Sequence, residues 1–229
     1  MGRPSARPSA VLWDMDGTLV DTEPYWIERE YVLAEKYGGT WTHDDAMAVV
    51  GADLMDSAAY MQRRMGIDRT PLEIIEELLD GVVEMVRHEV PWQPGARELL
   101  AALREQGTPS VLVTMSWRRF VDPVVDQLPR GSFEAVLCGD EVTRGKPHPE
   151  PYLAAASLVG CRPEDTLAIE DSPTGAASAG AAGCRVLVVP NHVDVPRAPY
   201  QVQRPTLAGV DPAGLAELYD EAGTSTTVQ

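Results

Sequence analysis

The sequence has 229 residues, 44% of them hydrophobic and 24% charged, with a formal net charge of -16. That length supports one large domain or two small ones with an ample core, and the composition fits a soluble globular protein. The acidic balance excludes nucleic acid and anionic membranes as partners, because both demand basic surface. Small phosphorylated molecules stay open, since a metal ion and a few local cations outweigh the global field. Two lysines, Lys36 and Lys146, stand against seventeen arginines, which singles out each lysine the chain keeps. Cys138, Cys161 and Cys184 are widely spaced and form no metal-ligand pattern, so they read as buried free thiols of a reducing compartment. Met1 to Ser9 carries no apolar segment, and no run reaches the length of a membrane span. The expectation is a cytoplasmic protein, a monomer or weak homodimer.

In chain order, residues 1–9 read as a polar tail. Ala10 to Trp13 is a short apolar run of the buried-strand type. It ends in Asp14-Met15-Asp16-Gly17-Thr18, two carboxylates one residue apart followed by a turn glycine. Helical spacing runs from Pro24 to Tyr37 and stops at Gly38-Gly39; a second helix covers about Asp44 to Val49, and Asp56 is the expected N-cap of a third, through Met65. Thr70, Pro71 and Glu73 form a capping box with proline at the first helical position, opening a fourth helix. Its apolar stripe is Leu72, Ile75, Leu79, Val82, Val83, Val86 and Val90, and Pro91 stops it. Residues 23–92 thus read as a four-helix insertion without strands. The pattern then alternates: helix 95–106, strand Ser110 to Val113, helix 117–128, strand Ala135 to Cys138, helix 150–159 and strand Thr166 to Ile169. The Ala-rich helix 173–182 follows, then strand Arg185 to Val189, a weak strand near Thr206 and helix 212–219. Residues 223–229 read as a second tail.

Alternating strands and helices predict an α/β fold, a Rossmann-like parallel sheet covered on both faces, with the helical insertion as a separate domain. Residues 10–22 and 93–222 would form the sheet domain. Ligands of such sheets bind beyond the carboxyl ends of the strands. That rule gathers Asp14, Asp16, Thr114, Glu170 and Asp171 along one edge. Two carboxylates about 4 Å apart repel by roughly 4 kcal/mol at an effective dielectric near 20, and a hard divalent cation relieves this.

Four phrases complete the pattern: Asp14-Met15-Asp16-Gly17-Thr18, Thr114-Met115-Ser116, Gly145-Lys146-Pro147 and Glu170-Asp171-Ser172. In this order they resemble the motifs of the haloacid-dehalogenase-like phosphohydrolase superfamily, and the insertion after the first looks like the helical cap of its subclass I. The resemblance implies Asp14 as nucleophile, Asp16 as general acid and base, and Thr114 and Lys146 on the phosphoryl group. It implies Mg²⁺ held by Asp14, the backbone carbonyl of Asp16, Asp171 and Glu170, the last directly or through water. The expected substrate contacts are Gly17, Thr18, Met115, Ser116, Trp26 and Arg118. A solvated helix face is the alternative for Arg118 and Arg119. His43, His88 and His192 read as surface or packing residues, and His148 as a turn former.

The capped phosphatases and the beta-phosphoglucomutases share this framework. Those mutases carry a histidine where this chain has Trp26, and a cap arginine after a glycine where it has Gly51-Ala52-Asp53-Leu54. These departures favour hydrolysis of a small phosphorylated metabolite, a sugar phosphate or similar phosphomonoester. A phosphomutase is the alternative, and a non-catalytic binding protein on the same fold the lesser one.

Overall fold

Four apolar runs set the architecture. Ala10–Trp13 (β1), Ser110–Val113 (β2) and Thr166–Glu170 (β4) are buried at every position, and Arg185–Val188 (β5) at all but its first. Strands covered on both faces cannot alternate polar and apolar residues, which is why these runs are continuous. With the edge strands Ala135–Leu137 (β3) and Gln201–Gln203 (β6) they form a parallel six-stranded sheet in the order β3-β2-β1-β4-β5-β6. The weak strand expected near Thr206 therefore lies earlier, where the Val186 N–H donates to the Tyr200 carbonyl and Val202 pairs with Leu187. The computed structural model describes residues 7–50 and 53–224; Gly51, Ala52 and the expected tail residues 1–6 and 225–229 lie outside them.

One face of the sheet is covered by Glu150–Leu158 (α7) and Pro173–Ala182 (α8), the other by Ala96–Glu105 (α5) and Pro212–Thr224 (α9). The first face packs Leu12, Val111, Val113, Ala168, Val186 and Val188 against Tyr152, Ala155, Ala176 and Ala179. Each large side chain buried there is worth about 1.5–3 kcal/mol. Both presumed tails give ground to this packing. Pro8 is buried and the Ser9 N–H donates to the Asp165 carbonyl at 2.7 Å, so order begins before residue 10. At the other end α9 runs past Gly223, whose missing Cβ leaves room for the Arg185 guanidinium.

The second unit comprises Thr22–Pro91 and Ser116–Gln127. It holds Glu23–Tyr37 (α1), His43–Met47 (α2), Leu54–Met65 (α3), Pro71–His88 (α4) and Arg118–Val125 (α6), with no strand among the described residues. Asp53, rather than Asp56, caps α3, accepting from the backbone N–H groups of Met55 and Asp56. The Thr70–Glu73 capping box forms as expected. The buried face of α4 is wider than one stripe: Ile74 and Leu78 join it, while Leu72 is exposed, because α1, α3 and α6 all pack on this helix. The placement of α6 departs from the expected boundary. Arg119 donates to Glu76 and Asp80 of α4, and Phe120 meets the edge of Trp26 with centroids 5.4 Å apart, so this helix clusters with the insertion. Pro123 inside α6 removes one helical N–H and keeps the element short.

Glu30 of α1 is buried and accepts from Trp41 Nε1 at 3.0 Å. Burial pushes its carboxyl up from 4.5 to about 8. The folded state thus holds a proton that the unfolded chain releases near 4.5, and stability from this site is lost as pH rises towards 8. Glu30→Gln stays neutral throughout. Its melting temperature should match wild type near pH 4 and exceed it by several degrees near pH 8. A gap that does not vary with pH would contradict the burial of an ionisable group here.

Candidate active site

The site grows from the end of β1. The Asp14 N–H donates to the Ile169 carbonyl at 3.0 Å, which carries the pairing with β4 one residue past the strand and fixes Asp14 at its tip. The chain then turns at Gly17, with φ of 87°. A Cβ there would lie 2.0 Å from Asp171 Oδ2, so the bare glycine is what lets Asp171 rest against the turn. Gln93 Nε2 donates to the Gly17 carbonyl at 2.9 Å and braces the turn. Because β4 is the neighbour of β1 in the sheet, Glu170 and Asp171 arrive beside Asp14, at the point where the strand order reverses.

Lys146 lies among these acids, its side chain 5% exposed. Its ammonium donates to Asp14 Oδ1 at 2.6 Å, to Glu170 Oε1 at 2.7 Å and to the Val113 carbonyl at 2.9 Å. A lysine has three N–H donors, and all are engaged. Burial acts to discharge the ammonium, but Asp14 and Glu170 outweigh it and hold Lys146 above its ordinary value. The loop delivering it is anchored by the Lys146 N–H on Met115 Sδ at 3.2 Å, and the Lys146–Pro147 peptide is cis. His148 shapes the following turn as expected, its Nδ1 accepting from the Glu150 N–H.

Glu170 is fully buried. Its Oε1 accepts from both Lys146 and the Tyr152 hydroxyl, and its Oε2 faces Ser172 Oγ at 3.4 Å. Gly175 makes room for it, since a Cβ there would fall 1.9 Å from Oε2. Burial raises the Glu170 carboxyl, Lys146 opposes that, and Asp14 adds to it. Asp171 has no such lysine contact: burial, with Asp14 and Glu170 adding to it, pushes its carboxyl up to about 9. Thr114 Oγ1 donates to Asp16 Oδ2 at 3.3 Å.

Carboxylate oxygens of Asp14, Glu170 and Asp171 lie within 4.8 Å of one another. Three buried acids share one ammonium, which is why Asp171 is driven towards its protonated form; a cation would take that proton's place, and the donors are all hard oxygens. The donor set fits a divalent cation of the magnesium type. Asp16 enters this neighbourhood through the turn, with its own carboxylate directed to Thr114.

The remaining expected residues divide between the two units. Gly17, Thr18 and Met115 belong to the sheet unit, and Trp26, Ser116 and Arg118 to the helical one. Thr18 is 2% exposed and its hydroxyl has no hydrogen-bond partner among the described residues; that burial gives no support to its expected contact with substrate. Arg118 forms an ion pair with Asp122 at 3.5 Å. Of the histidines read as packing or surface residues, His192 has a definite partner, with Nε2 2.8 Å from Asp21 Oδ1. Sequence reasoning missed Tyr152 and the Val113 carbonyl; neither a tyrosine inside a helix nor a main-chain oxygen carries a signal in one sequence.

Residues 11–189 match the family model described as haloacid dehalogenase-like hydrolase. The chain belongs to the haloacid dehalogenase-like hydrolases. It is 30% identical over 197 residues to hexitol phosphatase B of Escherichia coli, covering 79% of this chain and 83% of that protein. It is 34% identical over 188 residues to the N-acetylmuramic acid 6-phosphate phosphatase of Pseudomonas aeruginosa, covering 80% and 82%. Among solved structures, CbbY from Rhodobacter sphaeroides in complex with phosphate superposes with a TM-score of 0.81 at 24% identity, covering 91% of this chain and 99% of that one, a likeness of fold. The named curated relatives set the chain on the phosphatase branch of the family.

Lys146→Met removes the countercharge from Asp14 and Glu170 while keeping most of the volume. It should lower unfolding stability by about 3–5 kcal/mol, read from denaturant midpoints. Adding Glu170→Gln should recover part of that loss. Unchanged stability in the single variant would contradict a charged, buried Lys146.

Proposed function

We propose that this protein is a Mg²⁺-dependent phosphomonoester hydrolase of small phosphorylated metabolites, working through an aspartyl-phosphate on Asp14. The observation that carries the reading is the Asp14 carboxylate, 7% exposed and held beside a buried ammonium at 2.6 Å. The hydrogen bond holds this carboxylate in one direction, away from bulk water, as a nucleophile towards phosphorus must be.

In this reading an Asp14 oxygen attacks phosphorus and the ester P–O bond breaks. The leaving alkoxide takes its proton from the Asp16 carboxyl, which the Thr114 hydroxyl holds in place. Asp16, now a carboxylate, takes a proton from the water that attacks the same phosphorus; the Asp14–phosphorus bond breaks and inorganic phosphate leaves. Lys146, with its three N–H groups already engaged, acts through its charge on Asp14 and the phosphoryl oxygens. Asp14, Asp171 and the Asp16 carbonyl would hold Mg²⁺, with Glu170 at or behind it, and the ion would neutralise phosphoryl charge.

The helical unit serves as the cap, and Trp26, Ser116 and Arg118 are its candidates to meet the leaving group. A hexitol phosphatase and an N-acetylmuramic acid 6-phosphate phosphatase among the relatives support a phosphorylated carbohydrate as substrate. The free cysteines support a reducing setting, the cytoplasm.

Phosphate release should be screened over sugar phosphates, sugar-alcohol phosphates, phosphoglycolate and nucleotides. Asp14→Asn should reduce it at least about a thousandfold, with folding intact by circular dichroism. Chelation should abolish it and added Mg²⁺ restore it. Release that survives chelation, or an active Asp14→Asn, would overturn the reading.

A further inference from the structure

The geometry points to Tyr152 as a positioning residue of the hydrolase, its hydroxyl holding Glu170 so that Glu170 can press Lys146 onto Asp14. This rests on the proposed roles of Asp14 and Lys146. Tyr152 is fully buried on α7, packed in the apolar cluster with Leu12, Val111, Val113 and Ala168. A phenylalanine would serve that packing equally well. A hydroxyl in such surroundings is costly unless it finds a partner, and this one donates to Glu170 Oε1. The same oxygen accepts from Lys146. The ammonium also lies 5.2 Å from the centroid of the Tyr152 ring, within the range of a cation–π attraction. Tyr152 thus grips both members of the pair, one through its edge and one through its face.

The consequence is mechanical. Glu170 Oε1 has two donors coming from different elements, the Lys146 loop and α7, and these fix its rotamer. Without the hydroxyl, Oε1 keeps only Lys146 and Oε2 its long 3.4 Å contact with Ser172 Oγ, so the carboxylate is held less firmly and can draw the ammonium away from Asp14. Being sealed from solvent, Tyr152 touches no substrate, so its effect falls on the chemical step and not on binding.

The test uses Tyr152→Phe, which keeps the ring and removes the hydroxyl, beside Tyr152→Leu, which removes both. Tyr152→Phe should lower kcat about tenfold while leaving KM within about twofold, and Tyr152→Leu should lower kcat further. In a Glu170→Gln background Tyr152→Phe should have little further effect, because the residue acts through Glu170. A second readout is independent of turnover. With only Lys36 and Lys146 in the chain, ¹⁵N-lysine labelling gives two ammonium environments to follow. Tyr152→Phe should shift the Lys146 signal and speed its hydrogen exchange, leaving Lys36 unchanged. An unmoved Lys146 signal, a wild-type kcat, or equal losses in both backgrounds would overturn the proposal. A shifted signal in a protein whose wild type hydrolyses no phosphomonoester would sink the hydrolase reading and leave the clamp standing.

Discussion

The ammonium of Lys146, buried between Asp14 and Glu170, is the interaction on which the rest of the site depends. Two carboxylates brought this close in a poorly solvated place repel each other. The lysine settles this by matching charge at hydrogen-bond distance, and the Val113 carbonyl takes its third N–H so that no buried donor is left open. Such a pair is not an efficient source of stability, since desolvation consumes most of its attraction. What it supplies is direction: Asp14 is held by a hydrogen bond of 2.6 Å to the ammonium.

The sheet exists, from the viewpoint of function, to make that juxtaposition. Parallel pairing of β1 with β4 brings Asp14 beside Glu170 and Asp171 although they are far apart in sequence, and β2 ends at the carbonyl that anchors Lys146. Small residues then let the acids approach: Gly17 under Asp171 and Gly175 under Glu170 both stand where a methyl group would collide with a carboxylate. The acidic cluster of Asp14, Glu170 and Asp171 that remains is one a divalent cation would suit.

Much of this was legible because strand-end chemistry is local in sequence. Asp14, Asp16 and Gly17 follow an apolar run; Glu170-Asp171 follow another; Lys146 is conspicuous in a chain that otherwise uses arginine. The capping signal was equally plain at Thr70, where side chain and backbone partner lie within one turn. What escaped was whatever depends on distant partners. The association of α6 with the helical unit rests on Arg119 meeting acids on α4, in residues some forty positions earlier. The extension of α9 through Gly223 follows from Arg185 lying against it, not from any helix signal. Tyr152 was passed over because a buried tyrosine and a core phenylalanine look alike until the oxygen across from the hydroxyl is known.

The central claim is that Asp14 bears the phosphoryl group. It is tested most directly by mixing enzyme with a radiolabelled phosphomonoester, quenching in acid during turnover and mapping the labelled peptide. The account predicts transient label on Asp14 in the wild type, more persistent label when Asp16 is replaced by asparagine, and none when Asp14 is. Label on another side chain, or phosphate release by a wild type that never carries label, would contradict it.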